Sequence, residues 1–411
     1  MTFAARIIFA FAIAITSAGF ARAGDFRLRS AYSSSASWAG GASLDAALGF
    51  QNRASAFGGT RLMWNKSAGP FRFEIHSNLV FLQGSDVSYG GALLGFLPTP
   101  LPSTAFNLTQ VWQSDANTYV TNTIDRLSVS YTSDSFVLRV GRQAITWGNG
   151  LVFQPGDILA PFSPGAVDTS YKTGADMVYG QYLFDSGADV QAVWVPRAAT
   201  TGGAIAFDGS TFALRGSFDI GPLSSGIMLA RDHGDTVGSL ALSGALGGAS
   251  WNAEVVDWSV GGTQTPSWLV NIANFGSLLG KNISYFAEVY HNGFGVTPGT
   301  ALDSLPAALS KRIATGQVFY AGRDFLTFGG QMQLTPDLSV APNAIFSLTD
   351  QSALASLTAS YTISDSTSMV LHLTRPFGAT GTDFGGRETT AGSGIYFGPS
   401  PAALLQLVHF F

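Results

Sequence analysis

Apolar and polar residues alternate with a period of two through much of this chain. In residues 71–79, Phe71, Phe73 and Ile75 alternate with Arg72 and Glu74. The same alternation recurs in three further segments, at residues 211–219, 283–290 and 326–334. A period of two is typical of β-strands that present one apolar and one polar face. The pattern therefore predicts an all-β fold.

The connections between the predicted strands differ in length in a regular way. Every second connection is short, at residues 66–70, 132–135, 185–188, 219–222, 245–248, 278–282, 335–337 and 364–366. The long connections all fall between these, at residues 83–122, 144–173, 198–209, 293–322 and 377–400. A few of the intervening connections are short as well, such as 232–236 and 349–351. All long connections are thus expected at one end of the strands.

This arrangement is typical of bacterial transmembrane barrels, which have short periplasmic turns, long extracellular loops and an even strand number. In a soluble β-sandwich, nothing requires all the long connections to lie at one end of the strands. We therefore predict a transmembrane antiparallel β-barrel over residues 43–411, with about 18 strands and both termini in the periplasm. A count of about 16 fits the same boundaries nearly as well. Residues 24–42 are rich in Ser and Ala and form either an extra strand or a periplasmic lead-in.

The N-terminus has the pattern of a secretory signal peptide. Arg6 precedes an apolar stretch at residues 7–20, and Ala21-Arg22-Ala23 has the small residues of a cleavage site. The apolar stretch is shorter than the ~20 residues of a membrane-spanning helix, which is the alternative interpretation. We expect residues 1–23 to be removed and the protein to be exported.

The overall composition is consistent with a barrel in a membrane. Only 11% of the residues are charged and the mean hydropathy is +0.23, whereas soluble chains contain about 25% charged residues. In a barrel strand only every second residue faces lipid, which dilutes the hydropathy signal. Cysteine is absent, which excludes disulfides, thiol catalysis and thiolate metal sites. The net charge of −5 gives no overall attraction to nucleic acid.

The C-terminus points to the bacterial outer membrane. Leu405, Leu407, His409 and Phe411 alternate with other residues up to the end of the chain. This resembles the terminal strand by which outer-membrane proteins are recognised for barrel insertion. We therefore expect two partners, which are outer-membrane lipids and the barrel-insertion machinery. The machinery would recognise the strand that ends at Phe411. The alternative is an apolar tail packed in a soluble core.

The polar faces of the predicted strands carry charged residues that are candidates for lining the pore. Those residues are Arg61, Arg72, Glu74, Arg126, Arg139, Arg215, Arg231, Glu254 and Glu288. The arginines precede the two later glutamates along the chain, so a closed barrel would set a basic wall opposite an acidic one. Such walls focus charged solutes, and a guanidinium can bind carboxylate or phosphate with two hydrogen bonds. The competing interpretation is that the arginines pair with Glu74, Asp125 and their neighbours and only brace the wall.

The segment after residue 139 is unusually apolar for a loop that follows a strand. It is interrupted by Gly and Pro and contains Trp147, Leu151, Phe153, Asp157 and Phe162. In an exposed loop the apolar side chains among these, together with Ile158 and Leu159, would form a hydrophobic patch. We therefore predict that this loop folds into the barrel mouth and that these five residues form a constriction. The alternative is a loop that lies over its neighbours outside the barrel.

The same segment carries a family resemblance. Gly141-Arg142-Gln143, followed by the Gly-rich step at residues 148–150, resembles Gram-negative porins of the alginate-export type and related barrels. The resemblance covers residues 139–172. It implies a substrate-conducting barrel with a similar strand number, and it carries over no substrate.

These observations predict a passive outer-membrane channel for small polar or anionic solutes. The motifs G-x-S-x-G, H-E-x-x-H and G-x-x-x-x-G-K-[ST] are missing from the sequence, so we expect neither enzymatic activity nor a cofactor or metal. The oligomeric state stays open. One alternative is an outer-membrane enzyme resembling a lipase or protease, and another is a surface adhesin or secreted β-sandwich.

Loop parity leads to a topological prediction. An epitope tag inserted within residues 83–122 or 377–400 should bind antibody on intact cells, and a tag at 185–188 or 335–337 should bind only after permeabilisation. Surface labelling of the second pair alone would invert the predicted topology. Labelling of neither pair on intact cells would point to a soluble periplasmic protein.

Overall fold

The computed structural model describes residues 25–96, 104–200 and 203–411. The predicted signal peptide, residues 1–23, lies outside these residues. The strands are β1 (Phe26–Trp38), β2 (Asn52–Ala68), β3 (Phe71–Gly84), β4 (Thr109–Ser114), β5 (Thr118–Thr132), β6 (Phe136–Gln143), β7 (Ala175–Leu183), β8 (Asp189–Val195), β9 (Thr211–Ile220), β10 (Leu223–Asp232), β11 (Asp235–Leu246), β12 (Ala249–Val260), β13 (Thr263–Leu278), β14 (Lys281–His291), β15 (Asp324–Gln333), β16 (Leu338–Ser347), β17 (Ser352–Ser364), β18 (Thr367–Phe377), β19 (Arg387–Glu388), β20 (Tyr396–Phe397) and β21 (Ala402–Phe410).

Eighteen of these strands form one closed antiparallel barrel. Each pairs with the next along the chain, and β21 pairs with β1 to close the ring. The Ser- and Ala-rich residues before position 43 therefore include a barrel strand, β1. The other three strands lie in loops, where β4 adds to the end of β5 and β19 pairs with β20. The predicted 18-strand barrel is confirmed.

The connection lengths follow the prediction that all long connections lie at one end of the barrel. At one end of the barrel every turn has at most five residues, at 69–70, 133–135, 184–188, 221–222, 247–248, 279–280, 334–337 and 365–366. The long connections lie at the other end, at 39–51, 85–117, 144–174, 196–210, 292–323 and 378–401. The end with the long loops is the extracellular end by the rule for bacterial barrels.

Several tight turns depend on backbone conformations that favour glycine. Gly247 and Gly248 have φ values of 56° and 89°, and Gly261 and Gly262 have 57° and 85°. Two successive residues with positive φ form the type I′ turn, whose twist matches that of the flanking strands. These glycines allow the chain to reverse within two residues at either end of the barrel.

The alternation within each strand separates an apolar outer face from the lumen. Leu62, Leu240 and Leu357 each leave more than 40% of their surface exposed on the outer face. On β11, Val237 and Ala241 lie on the opposite face from Leu240 and are buried. An apolar exterior of this kind is suited to contact with lipid, so the chain is a transmembrane β-barrel.

Within the described residues, three short α-helices lie in the loops. They are α1 (Leu44–Ala47), α2 (Ser85–Leu93) and α3 (Ala307–Ala314). No helix in the described part of the chain is long and apolar enough to cross a membrane. They belong to the extracellular connections 39–51, 85–117 and 292–323.

The main apolar core of the protein lies inside the barrel. Lumen-facing residues of β7 to β12, such as Met228 and Val256, are buried against Ile158 from the connection 144–174. Leu309 of α3 joins the same cluster. The loops therefore fill one side of the lumen, which an 18-strand wall is too wide to fill with its own side chains.

The position of Leu240 at the middle of β11 generates a stability prediction. Leu240→Arg should cost roughly 2–4 kcal/mol because it places a charge in lipid near the membrane centre. Phe73→Arg is the matched control, since Phe73 faces outward only a few residues from the turn at 69–70, and it should cost about 0–1 kcal/mol. Unfolding in urea from lipid vesicles measures both changes. Equal costs would contradict the assignment of faces and depths.

Candidate functional site: a constricted lumen

The connection between β6 and β7, residues 144–174, folds into the barrel and is called the inner loop below. The indole N–H of Trp147 donates to Oε1 of Gln191 on the lumen face of β8 at 2.9 Å. Trp147, Ile158 and Leu159 are buried in the lumen core. The predicted inward fold is therefore present, because the apolar side chains of the loop find an apolar wall inside the barrel.

The Gly141-Arg142-Gln143 motif fixes the point where β6 gives way to the inner loop. Gly141 has a φ of 119°, and a Cβ on it would lie 2.1 Å from the carbonyl oxygen of Leu127. Nε and Nη2 of Arg142 each donate to a carboxylate oxygen of Asp176 at 2.9 Å. Gln143 is buried and donates to the carbonyl oxygen of Arg139 at 3.2 Å. The motif thus has a structural role at the rim of the wall.

Glu288 on β14 holds the first part of the inner loop. Its Oε1 accepts hydrogen bonds from the backbone N–H of Val152 at 3.2 Å and of Phe153 at 2.8 Å. Its Oε2 accepts one from the N–H of Leu151 at 2.6 Å. Nδ2 of Asn271 donates to the same Oε2 at 3.1 Å. Three successive backbone amides therefore converge on one carboxylate.

Glu254 on β12 holds the same part of the loop from the neighbouring wall. Its Oε2 accepts the N–H of Asn149 at 3.0 Å. A Cβ on Gly156 would lie only 1.5 Å from Oε1 of Glu254, so a larger residue there would displace either the carboxylate or the loop. Glu254 and Glu288 are 2% and 1% exposed. The sequence predicted these two residues on an open acidic wall, and the structure instead covers both with the inner loop.

The end of the inner loop contacts the opposite wall. Asp168 forms an ion pair with Arg29 of β1 at 2.6 Å. The ring of Tyr171 lies 4.3 Å from the guanidinium carbon of Arg61, and Nη2 of Arg126 donates to the carbonyl oxygen of Lys172 at 2.5 Å. The loop is thus fixed on two sides of the barrel and crosses the lumen between them.

A buried ion pair joins the two parts of the inner loop. Nζ of Lys172 donates to Oδ2 of Asp157 and to the carbonyl oxygen of Ile145. Burial raises the pKa of the Asp157 carboxyl and lowers the pKa of the Lys172 ammonium, and the attraction between them opposes both shifts. A buried pair of this kind is costly to break on one side only. The Asp157–Lys172 ion pair therefore joins the middle of the inner loop to its end.

The predicted constriction residues divide into two groups. Trp147, Phe153 and Asp157 are buried and hold the loop in place. The ring of Phe153 stacks on Tyr290 with 4.5 Å between centroids. Leu151 is 44% exposed and Phe162 is half-buried. Leu151 and Phe162 are therefore the members of this set that present surface to solvent.

Five of the predicted pore arginines lie on the lumen face, and their partners differ. Arg61 and Arg126 both form ion pairs with Asp125. Arg72 pairs with Glu74 at 3.0 Å near the periplasmic turn. Arg139 donates to Ser130 at 3.0 Å and Arg215 donates to Ser217 at 2.9 Å. Within the described residues, neither Arg139 nor Arg215 has a carboxylate within 4.0 Å.

The prediction that Arg231 lines the pore is wrong. On β10, Met228 and Ala230 are buried on the lumen side, so Arg231 shares the outer face with the exposed Leu229. Its guanidinium is exposed and pairs with Asp208 at 2.9 Å. Arg231 is one residue from the extracellular end of its strand, where the outer face reaches water.

Sequence analysis missed a charged cluster that joins the loop containing α3 to the wall. Arg312 is 1% exposed, forms an ion pair with Asp235, and lies 3.7 Å from the ring centroid of Trp258. Nearby, Nε2 of Gln317 donates to the carbonyl oxygen of Ile158 in the inner loop at 2.7 Å. The α3 loop therefore supports the inner loop from the extracellular side. The acidic residues around the β10–β11 turn were the only local signal for it.

Comparisons with known proteins establish the fold class. No protein-family model matches the chain, and no curated protein matches it. Among solved structures, Acinetobacter baumannii OccAB2 has a TM-score of 0.54 at 10% identity, covering 94% of this chain and 97% of its own. OccAB4 of the same organism has a TM-score of 0.52 at 8% identity, covering 95% of this chain and 99% of its own.

A third similar structure is Escherichia coli Wzi, described as a carbohydrate-binding β-barrel of the outer membrane involved in group 1 capsule assembly. Its TM-score is 0.51 at 11% identity, covering 98% of this chain and 87% of its own. The chain thus has the fold of Gram-negative outer-membrane barrels, and that part of the resemblance is confirmed. The narrower likeness to alginate-export porins stays a prediction.

The contact between Gly156 and Glu254 generates a prediction about the inner loop. Gly156→Ala should displace the loop, because the added Cβ collides with the carboxylate. Limited proteolysis of the folded barrel should then cut within residues 144–174. The matched control is Gly165→Ala in the same loop, where a Cβ meets no atom within 4 Å. Equal protease resistance of the two variants would contradict the described contact.

Proposed function

We propose that the chain is a passive outer-membrane channel that admits small polar or anionic solutes through a lumen narrowed by the inner loop. The observation that carries this proposal is the fixing of the inner loop on two opposite walls, by Glu254 and Glu288 on one side and by Arg29 and Arg126 on the other. A loop held in this way narrows a wide barrel to a selective passage.

The anion preference rests on Arg139 and Arg215. Arg139 is paired in register with Tyr179 on β7, and Arg215 is paired with Gln191 on β8. On β8, Val193 pairs with Tyr179 and lies two residues from Gln191. The two arginines therefore lie on either side of Tyr179 along the wall. Because neither guanidinium forms an ion pair within 4.0 Å in the described residues, both raise the local concentration of anions.

Uncharged polar groups line another part of the lumen. Asn343, Ser356 and Thr358 occupy the lumen face of β16 and β17. The hydroxyl of Thr358 lies 2.9 Å from Nδ1 of His372 on β18. Hydroxyl and amide groups can replace hydrogen bonds to water as a polar solute passes. A hydroxylated anion would therefore find partners on both parts of the wall.

A second candidate function is carbohydrate binding at the cell surface without conduction. It is favoured by the extent to which loops occupy the extracellular half of the lumen, where Phe153, Phe325 and Phe384 form a buried aromatic cluster. The likeness to Wzi, described as carbohydrate-binding, points the same way. Conductance distinguishes the two functions, because only a channel gives current steps in a planar bilayer.

Ion selectivity tests the proposed function. In a salt gradient at low ionic strength, where the Debye length is about 30 Å at 0.01 M, the reversal potential of the wild-type channel should show anion preference. Replacing Arg139 and Arg215 together by Ala should reduce or reverse that preference. Arg231→Ala is the matched control, since Arg231 lies on the outer face, and should leave it unchanged. A cation-selective wild-type channel would contradict the proposal.

A further inference from the structure

Two buried carboxylates hold the constriction in place without a basic partner. Glu254 and Glu288 are called the carboxylate anchor below. In the part of the chain that the structure describes, no Lys, Arg or His nitrogen lies within 4.0 Å of either carboxylate. The bonds come from backbone amides at residues 149 and 151–153, and from the side chain of Asn271.

We propose that the carboxylate anchor sets the width of the channel. Glu254 and Glu288 are positioning residues whose negative charge keeps the inner loop across the lumen. Neutralising that charge, by protonation or by substitution, releases residues 149–153 and widens the passage. This inference rests on the proposed channel function, since it assigns a regulation to the same lumen.

The chemistry of the carboxyl group explains why its charge matters. An ionised carboxylate is only an acceptor, and hydrogen bonds to it are about twice as strong as those between neutral groups. A protonated carboxyl of Glu288 carries an O–H donor on one of its oxygens, which would then face either the amide of Leu151 or those of Val152 and Phe153. The amide of a glutamine does the same with its NH₂ group. In both cases donors oppose donors where the loop was attached.

The charged groups near Glu254 and Glu288 do not hold the inner loop in their place. The charged groups that face Glu254 are Arg215 of β9, Asp157 of the inner loop, and Glu288 itself. Asp157 is bound to Lys172, so that ammonium is already paired. Glu288 also lies beside the uncharged Tyr290. Repulsion between the acidic groups acts against the loop position, whereas four backbone amides donate directly to the two carboxylates at 2.6–3.2 Å.

The local backbone is shaped for this contact. Gly148 has a φ of 98°, and Gly150 has no room for a Cβ, which would lie 1.5 Å from the carbonyl oxygen of Phe153. Asn271 links the start of the segment to Glu288, because its Nδ2 donates to the carbonyl oxygen of Asn149 at 3.0 Å as well as to Glu288. The loop conformation and the carboxylate positions therefore depend on each other.

Single-channel conductance tests the proposal on the full-length barrel. The wild type should show a larger conductance step near pH 4 than near pH 7, because acid protonates carboxylates. The double variant Glu254→Gln and Glu288→Gln should show the larger step already near pH 7 and lose the response to acid. Asp337→Asn, in an exposed periplasmic turn, is the control and should keep the wild-type response.

A second measurement does not depend on conduction. The chain has no cysteine, so Val152→Cys introduces a single thiol in the anchored segment. Near pH 7 a bulky maleimide should label it slowly in the otherwise wild-type barrel and several-fold faster when Glu254 and Glu288 are Gln. Folding of each variant is checked by its heat-modifiable mobility on a detergent gel.

The outcomes separate the two proposals. The anchor is overturned if the wild type conducts, the double variant has the same conductance as the wild type at each pH, and residue 152 is labelled slowly in both. The channel function then remains intact. A folded wild type that never conducts would overturn the channel function. In that case the labelling rate decides on the anchor alone, with fast labelling of the double variant supporting it and slow labelling contradicting it.

Discussion

Hydrogen bonding of the backbone in lipid is the constraint on which the rest of this structure depends. A strand in the hydrocarbon layer has no water to satisfy its N–H and C=O groups, so every strand needs a partner on both sides. The ring closes between β1 and β21, at opposite ends of the chain. Nε2 of Gln406 also donates to the hydroxyl of Ser33 across this seam at 3.0 Å. Closure separates one face for lipid from one face for the lumen.

Closure of the ring also encloses a wide lumen, and the inner loop lies inside it. A ring of 16 to 18 strands leaves a wide aqueous lumen, and the inner loop occupies part of it. The inner loop brings apolar side chains that bury themselves against the wall of β7 to β12, and it brings backbone amides that need acceptors. Glu254 and Glu288 supply those acceptors. The same loop is therefore held by burial of its side chains and by hydrogen bonding of its backbone.

The strands could be predicted from the sequence because their signal is local. The period of two in residues 71–79 and the short turns between strands are both readable within a few residues. The signal was weak in β1, where Ser and Ala replace the larger side chains that make alternation visible. It was ambiguous at Arg231, because near the rim of a barrel a charged residue is stable on either face. The inward fold of the apolar segment after Gly141 was also predictable, since its side chains need burial.

The contacts of the site were not predictable, because their partners lie far apart in the chain. Glu288 binds amides more than 130 positions earlier, and no local pattern indicates which loop will cover it. The same holds for Arg29 and Asp168, and for Arg312 and Asp235. Each of these pairs joins a strand of the barrel to a loop that folds over it. The alternation of residues placed the two glutamates on strands, and the closed topology decided their partners.

The most direct test of this account is the current carried by the purified, folded protein in a planar lipid bilayer. We expect discrete and stable current steps, smaller than those of the same barrel with the inner loop shortened between residues 149 and 170. Insertion of the folded barrel without any current, both with the complete loop and with the shortened one, would contradict the claim that this chain is a channel narrowed by its inner loop.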